Sequence, residues 1–277
     1  MARIAYVDHS FHKKTQSTAF LVEVLRRHGH DVDVFWDEAW QGGSPLHWSE
    51  LGSYDVVIMF QALCPVQSKY YRDLHPNVIY IPMLDQFGLW AGPVLNLQDF
   101  WEQFQGSKIL NFSIALHSMT ITSGIASHLA RYYQVPKPSS VHFDRGMHGF
   151  FWLRRELEVP WSVVRTLISD TRFDSFHIHL AVDPGTPAPK LPSAAEMIQH
   201  NVTTSVWYEN KAELESVLHK ANVFFAPRLG EGIGQSFLEA FSRGQCVVAP
   251  NNGTMNEYII PGLNGLLYDA SNPTPLD

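Results

Sequence analysis

The chain has 277 residues, of which 45% are hydrophobic and 17% charged, and a formal net charge of −7. This composition can bury a sizeable core and excludes a wholly disordered chain. Acidic residues outnumber basic ones by 27 to 20. That balance argues against a nucleic-acid binder, because such proteins neutralise phosphates with an excess of basic residues.

The sequence predicts a cytoplasmic location. No apolar run approaches the roughly 18–20 residues of a membrane helix, and the polar start of the chain does not resemble a secretory signal. Cys64 and Cys246 lie beside apolar runs, which predicts buried thiols rather than a disulfide framework. We therefore expect at most peripheral contact with a membrane, at its inner face.

The first half of the chain alternates short apolar runs with helical patterns. Arg3–Val7 is typical of a buried strand, a polar loop follows from Asp8 to Ser17, and the next helix ends before Gly29. Further strands are predicted at 32–35, 56–60, 78–81 and 109–112, and further helices at 97–104 and 125–133. Strands that alternate with helices favour a parallel sheet with helices on both faces.

The pattern breaks at a segment rich in Pro and Ser, residues 135–140, and then starts again. Strands are predicted at 150–153, 176–182, 202–207, 223–226 and 247–249, and helices at 161–168, 212–220 and 235–242. We therefore predict an α/β protein with two Rossmann-like, parallel-sheet domains, residues 1–138 and 139–277, that face one another across a cleft.

Residues 226–241 carry the strongest chemical signal. A buried strand runs into a loop with Gly230, Gly232 and Gly234, and the loop runs into a helix. Glycines let the backbone approach a ligand closely, and a helix start offers free N–H groups that suit a diphosphate. The amides of Gly232, Ile233, Gly234 and Gln235 are therefore predicted to bind phosphates. A tight turn without a ligand is the alternative.

Two carboxylates frame this loop. Glu231 lies within it, and Glu239 lies about two helical turns further on. A carboxylate repels phosphate but accepts hydrogen bonds from vicinal hydroxyls, which a nucleotide sugar carries on its ribose and on its transferred sugar. We predict that Glu239 binds the ribose and Glu231 the sugar. The alternative is that Glu231 is only a charge in the first turn of the helix and that Glu239 is a solvated side chain.

Residues 223–269 resemble the nucleotide-sugar-binding segment of family 4 retaining glycosyltransferases with the GT-B fold, also called glycosyl transferases group 1. The matching positions are Glu231, Glu239-Ala240, Gly244 before an apolar strand, Gly253 with Glu257, and Gly265-Leu266-Leu267. The family continues further after this segment, so the resemblance implies a compact or truncated member.

The resemblance implies a function for each domain. The second domain binds a nucleotide diphosphate sugar, and the first presents a hydroxyl acceptor, a saccharide or lipid-linked saccharide, as in bacterial surface polysaccharide synthesis. A hexosyl group is transferred with retention of configuration, without a metal and without a cofactor other than the donor. The departing phosphate can accept the acceptor's proton. A nucleotide-sugar epimerase and a non-catalytic sugar-nucleotide-binding relative are the alternatives.

The Arg and Lys that bind the diphosphate in the family have no clear counterpart in this sequence, and Arg154 is the nearest candidate. It would stabilise the departing nucleotide, a role that a metal fills in other transferases. The alternative is a surface ion pair with Glu156 or Glu158. Asp31 and Asp33 form an Asp-x-Asp pattern at the start of a strand, where a turn is favoured over a metal site.

The first domain offers less specific candidates. By the order of elements, Asp85 matches the polar side chain that the family presents close to the reacting sugar, and His117 and Ser118 form a second option. His9 and His12 crowd the first loop. Clustered histidines can bind zinc. The alternatives are that this loop forms a surface that contacts the acceptor or a phosphate, or that it is a solvated loop.

Overall fold

The computed structural model describes residues 1–39, 42–62, 68–87, 97–136, 146–183 and 185–276. The chain divides into two compact units, Met1–Arg131 and Tyr132–Asp277. The domain boundary predicted between residues 138 and 139 and the predicted thiol of Cys64 lie outside the described residues. The thiol of Cys246 is half-buried rather than buried.

The first unit is built on a parallel sheet. Its strands are β1 (Arg3–His9), β2 (Asp31–Asp37), β3 (Val56–Phe60), β4 (Val78–Ile81), β5 (Lys108–Asn111) and β6 (Ala126–Leu129). They pair in the order β2-β1-β3-β4-β5-β6. In β1, every residue from Ile4 to Asp8 is buried, because a strand covered by helices on both faces is apolar along its length. The predicted α/β class is confirmed.

Helices and an aromatic layer pack onto this sheet. The helices are α1 (Phe11–Thr15), α2 (Ala19–Arg27), α3 (Tyr71–Leu74), α4 (Leu97–Glu102) and α5 (Ile114–Thr122). The ring of Phe104 stacks on those of Tyr71 and Tyr80, with centroids 4.9 and 4.2 Å apart. Stacked buried rings hold the turn after α4 against the sheet.

Two predicted segments of this unit have a different conformation in the structure. The predicted helix 125–133 is strand β6, and the helix precedes it as α5. Gly124, with φ +75°, follows α5, and residues 126–129 then pair with β5. The predicted loop Asp8–Ser17 contains the short helix α1. In both cases pairing and packing decide the conformation, since short apolar runs do not distinguish a helix from a strand.

The second unit contains another parallel sheet, of strands β7 (His148–Trp152), β8 (Ser175–His179), β9 (Val202–Ser205), β10 (Val223–Phe225), β11 (Cys246–Pro250) and β12 (Gly265–Tyr268). They pair in the order β12-β11-β10-β7-β8-β9. The chain winds outward from β7 to β9 and then returns to the other side of β7. β7 and β10 are therefore neighbours at a topological switch point, where open α/β sheets bind ligands.

Helices α6 (Trp161–Ile168), α7 (Ala194–Gln199), α8 (Lys211–Leu218) and α9 (Gln235–Ser242) connect these strands. The bounds of α6 and α9 are those predicted. Trp161 packs edge-on against Phe176, and Phe176 packs against Phe225, with centroids 5.5 and 5.4 Å apart. None of the helices in the described part of the chain reaches the length and apolarity that would let it span a bilayer.

Candidate functional site

The loop between β10 and α9 lies at the carboxyl edge of the second sheet. β10 pairs with β7 so that Phe225 is opposite Phe151, and the residues that follow each strand therefore emerge side by side. All six predicted donor-binding positions lie in this loop or in the first two turns of α9. The structure thus places them at the switch point of the sheet.

Gly234 gives the loop its sharp entry into α9. It is the N-cap of the helix, with φ +78° and ψ +47°, a left-handed conformation that favours glycine. A Cβ atom at this position would overlap the ring of Phe237, which is fully buried. Glycine is therefore required here both for the backbone angle and for the space, and no side chain caps the helix start.

Three consecutive amides next to this helix start have no hydrogen-bond acceptor among the residues that the structure describes. Within the described residues, the N–H groups of Gly232, Ile233 and Gly234 donate no hydrogen bond to the chain, although all three residues are buried. Buried N–H groups are nearly always paired, and helix starts leave further N–H groups free. Consecutive free amides at a helix start form a concave site for an anion.

Thr254 fixes the direction of two of these amides. Its fully buried hydroxyl contacts the carbonyl oxygens of Glu231 and Gly232, at 2.7 and 2.9 Å. In a trans peptide the carbonyl and the N–H point in opposite directions. The N–H groups of Gly232 and Ile233 therefore point away from Thr254.

The two predicted carboxylates have different surroundings. The side chain of Glu231 is 12% exposed, and its Oε2 lies 3.9 Å from Nη1 of Arg228. The side chain of Glu239 is 36% exposed, and its Oε2 lies 3.8 Å from Nη1 of the buried Arg243. Both carboxylates thus lie at the limit of ion-pair distance from an arginine.

Arg154 follows β7 at the same edge of the sheet. Its Nε lies 2.7 Å from Oδ1 of Asp183, and the neighbouring Arg155 binds the other carboxylate oxygen at 2.6 Å. Neither Glu156 nor Glu158, the partners predicted as the alternative, pairs with Arg154 among the described residues. Burial would raise the pKa of Asp183, but the two guanidiniums outweigh it, and the pKa is lowered.

A second arginine, Arg228, which was not among the predicted site residues, lies at this edge. The side chain of Arg228 is 9% exposed, and its Nε lies 3.3 Å from Oε2 of Glu158. Glu158 also pairs with Arg155 at 2.7 Å and accepts the amide of Leu229 at 3.2 Å. Burial would raise the pKa of Glu158, but the guanidiniums lower it. Glu158 thus ties the segment after β7 to the loop after β10.

Asp85 belongs to the first unit, whereas the other predicted site residues belong to the second. It lies in a 3₁₀ turn, Leu84–Phe87, that follows β4, and its charge acts on His9. His9 itself, Asp8 and His12 bring possible ligand atoms within 4.8 Å of one another. The predicted absence of a metal stays a prediction. The second option, His117, contacts Ser127 at 2.8 Å.

Comparison with protein families identifies the segment that contains the loop. Residues 189–276, less than half of the chain, match the family model described as glycosyl transferases group 1. The match includes the loop between β10 and α9, both carboxylates and Thr254. It confirms the resemblance that residues 223–269 predicted.

Solved structures share the fold over nearly the whole chain. The lipopolysaccharide outer core galactosyltransferase WaaB is 15% identical, with 97% of this chain and 86% of that chain covered and a TM-score of 0.65. Sucrose-phosphate synthase from Thermosynechococcus elongatus is 13% identical, with 99% and 87% covered and a TM-score of 0.68. Anabaena HepE, solved with UDP and glucose, is 13% identical, with 97% and 86% covered and a TM-score of 0.59.

At these identities the structural likeness shows the fold, which is GT-B. Together with the family match it defines the class of protein, a glycosyltransferase of the GT-B fold. Residues 189–276 are similar to the glycosyl transferases group 1 family over about a third of the chain. A search of the curated proteins finds no match. The predicted cleft between the two domains stays a prediction.

Proposed function

We propose that the protein transfers a hexosyl group from a nucleotide diphosphate sugar to a hydroxyl of a saccharide or lipid-linked saccharide. The transfer retains the anomeric configuration and uses neither a metal nor a further cofactor. The observation that carries this proposal is the row of buried amides at Gly232, Ile233 and Gly234, which donate no hydrogen bond within the described part of the chain. A buried anion site of this kind favours a ligand with a diphosphate over a turn that only connects two elements.

The loop and α9 bind the diphosphate in this proposal. The amides of residues 232–235 and the positive end of the α9 dipole act on the phosphate oxygens. As the bond to the sugar breaks, negative charge grows on the departing diphosphate. Donors that are already oriented toward it stabilise that charge without reorganisation.

Arg154 and Arg228 add positive charge at the same edge. Asp183 pairs with Nε of Arg154, and Glu158 pairs with Nε of Arg228. A planar guanidinium can donate to a carboxylate and a phosphate at once because it carries five N–H donors. We assign to Arg154 the stabilisation of the leaving group, with Arg228 as a second cation.

The carboxylates orient the two sugars of the donor. Glu239, on the exposed side of α9, accepts hydrogen bonds from the ribose hydroxyls, and Glu231 accepts them from the transferred sugar. Asp85 is proposed to act on the reacting sugar from the first unit. HepE, a structural neighbour, was solved with UDP and glucose, which supports a donor of this chemical class.

The setting of the reaction is also a proposal. We place it in bacterial surface polysaccharide or glycoconjugate synthesis, in the cytoplasm at the inner face of the membrane. The galactosyltransferase WaaB, whose name assigns it to the lipopolysaccharide outer core, is a neighbour that supports this choice.

The test is a thermal-shift screen of the whole chain against UDP-, GDP-, ADP- and dTDP-sugars, followed by calorimetry with the best ligand. A donor that binds the native fold raises the melting temperature. Glu239→Ala should weaken binding about 10- to 100-fold, because a hydrogen bond to a charged group contributes about 1.5–3 kcal/mol.

Glu213→Ala is the matched control, since it removes an exposed glutamate from α8 of the same unit. It should leave the donor affinity unchanged. A Glu239→Ala affinity equal to that of the wild type would contradict the ribose assignment. The absence of any melting shift with all four classes of donor would contradict the proposed function.

A further inference from the structure

Three guanidiniums and two carboxylates form one continuous network in the second unit, at the start of the loop between β10 and α9. The guanidiniums belong to Arg154 and Arg155, which follow β7, and to Arg228, which follows β10. The carboxylates belong to Glu158 and Asp183. Because β7 and β10 are paired neighbours, the segments that follow them leave the sheet side by side and bring these charges together.

Each carboxylate of this network uses its two oxygens for different arginines. Oδ1 of Asp183 accepts a hydrogen bond from Nε of Arg154 at 2.7 Å, and Oδ2 accepts one from Nε of Arg155 at 2.6 Å. Oε1 of Glu158 accepts a hydrogen bond from Nη1 of Arg155 at 2.7 Å, and Oε2 accepts one from Nε of Arg228 at 3.3 Å. Cations and anions therefore alternate from Arg154 to Arg228, with Arg155 in the middle.

Arg155 differs from the other two arginines because it binds both carboxylates at once. It uses two nitrogens, Nε for Asp183 and Nη1 for Glu158, and the planar guanidinium fixes the distance between these nitrogens. The side chains of Asp183 and Glu158 are only 12% and 8% exposed, so water competes little for these bonds. The position of Arg155 therefore determines how far apart the two carboxylates lie.

The network continues into the main chain of the loop. Oε2 of Glu158, which pairs with Arg228, also accepts the amide of Leu229 at 3.2 Å. The row of amides at residues 232–234 begins three residues further on. Nη1 of Arg228 lies 3.9 Å from Oε2 of Glu231, so the network ends at the carboxylate that we propose to bind the sugar. One carboxylate thus fixes both a guanidinium and the start of the anion-binding loop.

This arrangement fits a ligand that needs several fixed cations better than it fits a purely structural role. Charges that leave water lose hydration, so a largely buried ion-pair network stabilises a fold little. A diphosphate carries negative charge on two neighbouring groups, and guanidiniums bind phosphate oxygens with directed hydrogen bonds. Two guanidiniums kept at a constant separation therefore suit a diphosphate.

We propose that Arg155 is a positioning residue that sets Arg154 and Arg228 at the separation at which both guanidiniums bind one diphosphate. This inference rests on the proposed function. Arg155 acts through its neighbours and does not itself bind the ligand. The network thereby makes the site selective for a nucleoside diphosphate over a nucleoside monophosphate.

The ratio of the Kd for the monophosphate to the Kd for the diphosphate measures this selectivity. The base and the ribose are the same in the two ligands, so their contributions cancel in the ratio. A change in the ratio therefore reports on the second phosphate and on the groups that bind it. A general loss of stability would affect both ligands and leave the ratio unchanged.

The test measures this ratio by calorimetry on the whole chain. The ligands are UDP and UMP, or the corresponding GDP, ADP or dTDP pair if that diphosphate gives a larger melting shift. Arg155→Lys keeps the positive charge, but a lysine ammonium is a point charge and cannot reproduce the two separated donors. It should weaken diphosphate binding about 10-fold, the lower end of the loss for a hydrogen bond to a charged group, and monophosphate binding less than about two-fold.

A second background tests whether Arg155 acts through the outer arginines. In a protein that carries both Arg154→Met and Arg228→Met, adding Arg155→Lys should change the ratio by less than about two-fold, because the groups that Arg155 positions are absent. A further loss of about 10-fold in this background would mean that Arg155 itself binds the ligand. That result would overturn the proposal.

Arg165→Lys is the matched control in the same unit. Arg165 pairs with a carboxylate of Glu196 at 3.2 Å, and its side chain is 53% exposed, so the variant should leave both affinities unchanged. Melting curves without ligand show whether each variant folds, and Arg155→Gln replaces Arg155→Lys if the latter does not. An Arg155 variant that melts earlier than the wild type but keeps the wild-type ratio has lost only a structural ion pair, which contradicts the proposal.

The two proposals fail in different ways. If the wild-type chain binds none of the four nucleoside diphosphates or their sugars, the proposed function fails, and the role of Arg155 fails with it. If the wild type binds a diphosphate but does not distinguish it from the monophosphate, or if Arg155→Lys distinguishes them equally well, only the role of Arg155 fails.

Discussion

The burial of His179 predicts that the second unit becomes less stable between pH 7.5 and pH 5. The residue is 1% exposed, its Nδ1 contacts Oγ of Ser205 at 2.8 Å, and its ring stacks on Tyr208 at 5.2 Å. Burial, with a smaller contribution from His177, lowers its pKa from 6.5 to about 4. The folded state therefore resists protonation of a side chain that the unfolded chain protonates readily.

The sign and the size follow from linkage. Above pH 6.5 the ring is neutral in both states, and its contribution to stability is fully present. As the pH falls from 6.5 toward 4, only the unfolded state takes up the proton, and stability is lost. The whole difference corresponds to about 3.4 kcal/mol, because one pKa unit is worth about 1.4 kcal/mol. At pH 5 about 2 kcal/mol of it is lost.

The assay is urea denaturation at the two pH values, with hydrogen exchange of the peptide that contains β8 as the local readout. His179→Phe keeps a ring over Tyr208 but cannot titrate. Its loss of stability between pH 7.5 and pH 5 should be about 2 kcal/mol smaller than that of the wild type. His28→Gln should keep the wild-type loss, since His28 is exposed. Equal losses in the wild type and His179→Phe would refute the reasoning.

Two further substitutions test the candidate site. Gly234→Ala should destabilise the second unit by about 2–4 kcal/mol, because it adds overlap with Phe237 to the strain of φ +78°. Gly262 is the control, since it has the same φ but nothing within 4 Å of an added Cβ atom. Gly262→Ala should therefore cost only about 1 kcal/mol in thermal or urea unfolding. Glu158→Ala should cost about 3–5 kcal/mol, because it removes the buried carboxylate that pairs with both Arg228 and Arg155. Similar melting temperatures for the two glycine variants, or a Glu158→Ala protein as stable as the wild type, would contradict these predictions.

The sequence predicted the parts of the fold in which local pattern and environment agree. Strands such as Val56–Phe60 are apolar along their length because both faces of the sheet are covered. Helix Gln235–Ser242 has a glycine at its start and apolar residues at helical spacing. At 125–133 the same kind of spacing was misleading, since pairing with β5 decided the conformation.

The candidate site was predictable where it is local in sequence. The loop, its glycines and both carboxylates lie within a few residues of one another, so a local pattern together with the family resemblance was enough to predict an anion site, with a tight turn as the alternative. Arg228 and Glu158 are 70 residues apart, and no local pattern shows that they meet. The only indication of this pair in the sequence was that several charged residues directly follow each of the two strands. Asp8 and His12 contact one another at 2.8 Å, but this contact requires α1, which was predicted to be part of a loop.

The hydroxyl of Thr254 has a consequence for how a ligand would bind. It holds two carbonyl groups of the loop before any ligand arrives. The ordering entropy of these peptides is therefore lost when the chain folds, not when the complex forms. A preorganised site of this kind gains affinity because association immobilises little that was free before. Thr254→Val should therefore weaken ligand binding, and calorimetry should show the loss in the entropy of binding, although Thr254 need not contact the ligand.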